Sequence, residues 1–276
     1  MHFQIIQPQG ILRQFVKYYW IMESDPGDGD MSERVIPTEN VQIMFHYKNP
    51  FSVCTSDNSI HRQPQSFISG LSNTYCDVST QGETGVIAVT FRPLGACHFF
   101  KFPISQIEER NINLRDIFAA EIQDVEEQLY GMSSAKERIA CVEVFLMRRF
   151  ALIPAYDYRL LESGIRLIKA DSLHVNPNLL SDKLFMTNKT LERKFAKYIG
   201  KTPKQFIKLI RFQHILSELQ HTSYNNLSVF AYENGYYDQA HFIRDFKTYA
   251  GLTPKAFYRK YCVLTTDDHC HYNEVE

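Results

Sequence analysis

Residues 235–257, GYYDQAHFIRDFKTYAGLTPKAF, have a weaker copy 51 residues upstream. In register, Arg244 falls on Arg193, Phe246 on Phe195, Tyr249 on Tyr198 and Gly251 on Gly200. Thr253-Pro254-Lys255 falls on Thr202-Pro203-Lys204, and Phe257 on Phe206. Internal repetition decides architecture, because each copy is one structural unit. Each copy carries apolar residues at helical spacing (Leu191, Phe195, Tyr198; Phe242, Phe246, Tyr249) and then a glycine. Glycine tolerates the left-handed turn that closes a helix, and proline is preset for the first turn of the next. The chain is therefore expected to build helix, stop and helix twice.

The same rules extend outward. Helices are expected at 157–170, 177–185, 188–198, 203–220, 228–233, 239–249 and 254–261, with Thr187 and Asp238 as N-caps. A helix-turn-helix needs a second helix whose apolar stripe faces its own domain and whose polar stripe faces a major groove. The helix at 188–198 turns Leu191, Phe195 and Tyr198 in, and Lys189, Arg193 and Lys197 out. The helix at 239–249 turns Phe242, Phe246 and Tyr249 in. Ala240, Arg244 and Lys247 point out, with Gln239 and His241 flanking the first turn. Leu227, Phe230 and Ala231 lead to Gly235, a natural turn residue. Leu179, Leu180 and Leu184 lead instead to Phe185, which leaves the turn of the first unit open. Between the units, 203–220 is apolar on nearly all sides, as a helix clamped between two subdomains must be. At about 1.5 Å per residue it spans roughly 27 Å. Major-groove segments on one face of DNA recur about every 34 Å, so one chain could seat both reading helices on adjacent turns.

Arginine pairs geometrically with guanine and glutamine with adenine, so Arg244 and Gln239 are the expected base readers, with Lys189 third. Lys194, Lys197, Lys201, Lys204 and Lys247 are expected to touch phosphates or only solvent. His241 suits a base, a phosphate or an ordinary surface position. Without the repeat, Arg193 and Arg244 read as surface arginines tied to Glu192 or Asp245.

Charge follows the same division. Lys and Arg against Asp and Glu leave −5 over residues 1–150 and +8 over residues 151–262, an imbalance that suggests an anionic partner for the second half. The 276 residues are 44% hydrophobic and 22% charged, ordinary for a soluble protein of two domains. Neither a leader nor a run of 18 apolar residues is present, so a cytoplasmic protein without a membrane partner is expected. The six cysteines show no C-x-x-C pair, which points to reduced thiols rather than disulfides or a zinc finger.

The first hundred residues read as strands, at 13–22, 41–47 and 85–91, separated by turn signals such as Asp25-Pro26-Gly27 and Lys48-Asn49-Pro50. From Asn113 the period becomes helical, with an acidic run at 121–127 and a capping box of Ser134 and Glu137. These helices are expected to cover a β barrel or sandwich, or to supply a homodimer contact as well. The expected fold is α+β and multidomain: an antiparallel β barrel or sandwich with covering helices at 1–152, an all-α double helix-turn-helix domain at 153–264 and a disordered tail at 265–276. His46 and Arg92 are the candidates for an effector site. Cys97-His98 as a thiol and base is discounted because neighbours on a strand face opposite ways. His269-Cys270-His271 is too short to define a metal site, and no cofactor is expected.

These residues resemble the AraC/XylS family of bacterial transcription regulators. The resemblance rests on Leu227-x-x-Phe230-Ala231, Gly235-Tyr236, Asp238, Phe242-Ile243-Arg244-Asp245-Phe246-Lys247 and Gly251-Leu252-Thr253-Pro254 with Phe257. It covers residues 176–261 and departs at Ser181, Phe185 and Ile215, where alanine, glycine and a small residue are usual. Val35-Ile36-Pro37, residues 41–47, Gly70 and residues 91–95 resemble more loosely a barrel-like domain of unassigned function. The resemblance implies a double-stranded DNA partner, contact with RNA polymerase, no enzymatic activity, and a first domain that senses a small-molecule effector or forms a homodimer. The competing classes are a ligand-binding protein whose helical half has lost DNA binding, and an adaptor acting through the acidic helices.

Overall fold

The computed structural model of the chain describes residues 2–25, 27–221 and 227–261. The expected tail at 265–276, with His269-Cys270-His271, lies outside them. The N-terminal half is antiparallel. Strands β1 (His2–Ile6), β2 (Val16–Ser24), β9 (Thr84–Phe91), β4 (Gln42–His46), β7 (Ser66–Ser69) and β10 (Asn111–Asn113) form one sheet in that order. Strands β3 (Ser32–Val35), β8 (Cys76–Ser79), β5 (Ser52–Thr55) and β6 (Ile60–Arg62) form the second.

Alternation along the central strands divides their side chains between two cores. Tyr19, Ile21, Ile43, Phe45, Ile87, Val89 and Phe91 face the helices. Met22 and Val86, with Trp20 and Met44, face Phe51, Val53 and Val78 of the smaller sheet. The strand expected at 13–22 begins later because Gly10–Gln14 form a 3-10 turn. Two glycines of the looser resemblance mark close backbone approaches. A Cβ at Gly70 would lie 1.8 Å from the carbonyl oxygen of Ile107, and one at Gly95 1.9 Å from that of Phe15.

Helices α1 (Arg115–Gly131) and α2 (Ala135–Met147) cover this half. Ser134 and Glu137 form the expected capping box. The acidic run of α1 is partly tied inward: the Glu126 carboxylate accepts from the Ser66 hydroxyl and from Arg115, and Glu121 pairs with Arg149.

Helices α3 (Ala155–Ala170), α4 (Pro177–Lys183), α5 (Asn188–Tyr198), α6 (Pro203–His221), α7 (Leu227–Glu233), α8 (Gln239–Ala250) and α9 (Pro254–Tyr261) follow the expected order. Packing does not divide at the expected 152/153 boundary. One continuous core runs from Leu12 through Phe145, Leu161, Leu191 and Phe195 to Phe206 and Ile210. Leu209, Phe212, Ile215 and Leu219, on other faces of α6, join Phe230, Phe242, Phe246 and Phe257 in a separate core. Helix α6 is thus shared between both units. Among the described residues no helix is long and apolar enough to cross a membrane, and no cluster of three or more His, Cys, Asp or Glu is placed to hold a metal.

Candidate nucleic-acid interface

Each unit is a short helix, a tight turn and a second helix, and the two turns share one hydrogen-bond pattern. The Phe185 N–H donates to Asp182 O (3.1 Å) and the Met186 N–H to Ser181 O (3.0 Å). The Gly235 N–H donates to Tyr232 O (3.0 Å) and the Tyr236 N–H to Ala231 O (3.0 Å). Gly235 has φ +74° and Phe185 has φ +53°, so phenylalanine adopts the left-handed backbone that its glycine counterpart takes without steric cost. The open question of the first turn is settled in favour of the same geometry. Ser181 is accommodated because its buried hydroxyl donates to Asn178 O at 2.8 Å.

The expected caps are present. Thr187 Oγ1 accepts from the Thr190 N–H, and Asp238 Oδ1 from the His241 N–H at 2.7 Å. Gly200 (φ +96°) and Gly251 (φ +71°) terminate α5 and α8 in the left-handed region. Leu191, Phe195, Tyr198, Phe242, Phe246 and Tyr249 are buried, so both apolar stripes face inward as expected.

The polar stripes are mostly free. Lys189, Arg193, Ala240, Arg244 and Lys247 are exposed, and the four charged side chains have no hydrogen bond or ion pair among the described residues. Asp245 pairs with Lys208 (3.4 Å) and His241 (3.5 Å) rather than with Arg244. Gln239 is exposed, and its Oε1 accepts from Ser228 Oγ at 2.7 Å, which still leaves a lone pair. His241 is half-buried, its ring 5.2 Å from that of Tyr236.

Two lysines expected at phosphates or in solvent lie elsewhere. Lys194 pairs with Asp157, which also accepts from Tyr198. Burial alone would raise the Asp157 carboxyl; those two hydrogen bonds bring it below the usual carboxylate range. Lys201 is wholly buried against Glu108 and Glu109. Lys197, at the far end of α5, stays exposed as expected; it lies over the Tyr198 ring and lines a cavity of about 250 Å³ at the junction with Cys97, His98, Lys101 and Arg149.

The first half grips both α5 and α8 at their C-terminal ends. Lys201 follows Gly200, at the end of α5. At the end of α8, Arg34 Nη1 donates to Ala250 O (3.3 Å) while the guanidinium pairs with Asp77 at 2.7 Å and stacks on Tyr75. A cation suits that site because the last carbonyls of a helix carry partial negative charge. The N-terminal turns of α5 and α8, which would reach bases, stay uncovered.

His46 and Arg92 do not share a site. His46 opposes Val86 and Gln42 opposes Thr90, so Arg92, beyond the end of β9, lies about 20 Å from His46 along the ladder. His46 is buried between Phe51 and Phe67, its Nδ1 bonded to Pro64 O, and burial lowers its pKa to about 4. Arg92 is exposed and donates to Arg13 O. An open groove of about 890 Å³, lined by Tyr47, Lys48, Arg62, Arg115, Glu126 and Arg138, was not legible from spacing because its residues come from separate elements. Cys97 and His98 lie in a 3-10 turn rather than on a strand. Burial pushes the Cys97 thiol up to about 12, which removes nucleophilic character.

A model described as "Helix-turn-helix domain" matches residues 180–260, and one described as "Domain of unknown function (DUF6597)" matches residues 4–113. The chain is 31% identical over 153 residues to the uncharacterized transcriptional regulatory protein YesN of Bacillus subtilis (strain 168), a match covering 46% of this chain and 40% of that relative. Among solved structures, ToxT from Vibrio cholerae is similar at TM-score 0.43 and 9% identity, over 94% of this chain and 98% of that one. The C-terminal domain of AraT from Geobacillus stearothermophilus is similar at TM-score 0.37 and 19% identity, over 44% of this chain and 98% of that one. Residues 180–260 thus match a helix-turn-helix domain, and residues 4–113 a domain of unknown function.

Proposed function

We propose that this chain is a sequence-specific, DNA-binding transcription regulator that reads two adjacent major-groove segments with α5 and α8. The observation that carries this is the paired turn: two units with the same hydrogen bonds, each presenting an arginine, Arg193 and Arg244, that has no ion pair among the described residues, on the exposed face of its second helix. Gln239 and Arg244 are assigned base contacts, Lys189 and Arg193 a second set, and Lys247 and His241 the backbone. Ala240 suits a thymine methyl group. Helix α6, with 19 residues, spans roughly 28 Å and is wedged between both cores, which suits it to hold the two readers at a fixed separation.

The domain at residues 4–113 is assigned control, by a small-molecule effector or by homodimer formation. The groove beside Tyr47 and Arg62 is the effector site to test first. Exposed Tyr130, Val144 and Met147 on α1 and α2 suit self-association, and RNA polymerase is the further partner that transcriptional regulation requires. The decisive experiment selects sites from a random DNA pool with the full chain and titrates the winner at several salt concentrations. Affinity should fall steeply with salt, because phosphate contacts release counterions. Absent or salt-independent binding, together with a defined protein partner, would favour an adaptor instead.

A further inference from the structure

The two most exposed large apolar side chains among the described residues are Phe185, 96% exposed, and Tyr237, 94% exposed. Both stand in the turn of a helix-turn-helix unit, Phe185 two residues before the cap Thr187 and Tyr237 one residue before the cap Asp238. Phe185 carries a double penalty. Its φ of +53° is a backbone region that a residue with a Cβ adopts at a cost, and its ring contributes nothing to either core. The second unit has Gly235 at the corresponding point of the turn and places its own bare aromatic two residues later. A ring held out by a strained turn, and recurring beside both reading helices, fits a contact made outside the chain.

We infer that Phe185 and Tyr237 are DNA contacts, packing their rings on deoxyribose or thymine-methyl surface where α5 and α8 enter the groove. This rests on the DNA-binding reading above. The N-terminal turn of a recognition helix lies against the groove wall, so a side chain just before its cap meets sugar and base edge. Exposed Lys183 and Lys189 flank Phe185 on either side in sequence, placing cations for the phosphates around an apolar contact. The ring then adds affinity by removing apolar surface from water, and releases no counterion.

The test uses the full chain, a site selected by the wild type, and the variants Phe185→Gly, Phe185→Ala and Tyr237→Ala. Each should bind about five- to thirtyfold more weakly, with the slope of log affinity against log salt unchanged. Phe185→Gly should do so with a melting temperature equal to or above that of the wild type, since glycine relieves the turn. That separates loss of contact from loss of fold. A wild type that binds no DNA overturns the DNA-binding reading itself. A wild type that binds, with all three variants within twofold of it, overturns only the role given to the rings. Altered oligomeric state at unchanged DNA affinity overturns it as well, in favour of self-association.

Discussion

Lys201 Nζ lies 2.9 Å from Glu108 Oε1 and 3.3 Å from Glu109 Oε1, with the lysine side chain wholly buried between the two halves of the chain. Lys201 directly follows Gly200, whose Cβ position would sit 2.8 Å from Ile104. The end of α5 is therefore pressed onto the N-terminal half, and the ammonium has nowhere to find water.

Removing the partners should cost more than removing the charge. The double variant Glu108→Gln, Glu109→Gln leaves a buried cation unpaired and should lose about 3 kcal/mol. Lys201→Met removes the cation and leaves carboxylates that are partly in solvent, so it should change stability by only about 1 kcal/mol. Urea denaturation of the full chain measures both, and the reverse order would mean that the pair is not desolvated.

Arg244 is exposed and has no side-chain partner among the described residues. Arg244→Ala should leave folding intact and lower discrimination between the selected site and a one-base variant by about 1–3 kcal/mol, while nonspecific affinity is mostly kept. Competition binding with both duplexes reads this. A uniform loss across sequences would make Arg244 a phosphate contact instead.

His46 sets a pH dependence of stability. Its folded pKa, lowered to about 4 by burial, lies below the value near 6.5 of an unfolded histidine. Between those values the unfolded chain binds the extra proton, so stability falls as the pH drops from about 6.5 to about 4. The difference corresponds to roughly 3 kcal/mol. Denaturation midpoints from pH 7 to pH 4 should show this slope, and His46→Gln should flatten it while lowering stability at pH 7.

Two glycines should fail for different reasons. At Gly235 the nearest atom to an added Cβ is 3.7 Å away, so Gly235→Ala pays only for φ +74°, about 1 kcal/mol. At Gly95 the backbone is ordinary, with φ −75°, but the Cβ would sit 1.9 Å from Phe15 O. Gly95→Ala should therefore cost about 3 kcal/mol or more, because main chain must move. Thermal melts of the two variants should separate clearly.

The elements legible in sequence were those whose causes are local. Thr187, Asp238 and Ser134 cap helices within their own next turn, and Gly200 and Gly251 end helices by backbone conformation alone. The bounds of α5 and α9 follow from such signals, as do the inward stripes of α5 and α8, because period and caps are written over a few consecutive residues. Phe185 shows the converse. Its residue type argued against a left-handed turn, and the hydrogen bonds to Asp182 and Ser181 imposed one.

The sequence by itself determined the doubled helix-turn-helix, the alternation of the central strands and the exposed arginines of α5 and α8. Tertiary structure alone decided which lysines remain available, since Lys194 and Lys201 project from the same basic segment as Lys189 and Arg193. Their partners lie 37 and 93 residues away. It also decided that the first unit shares its core with the β-sheet half while the second packs in a separate one that takes in only Ile36 from that half among the described buried residues, and that His46 and Arg92 stand apart. The physical reason is the same in each case. Helical periodicity says which face of a helix is polar, but water and the carboxylates of neighbouring elements satisfy a polar face equally well, and only the packed chain chooses between them.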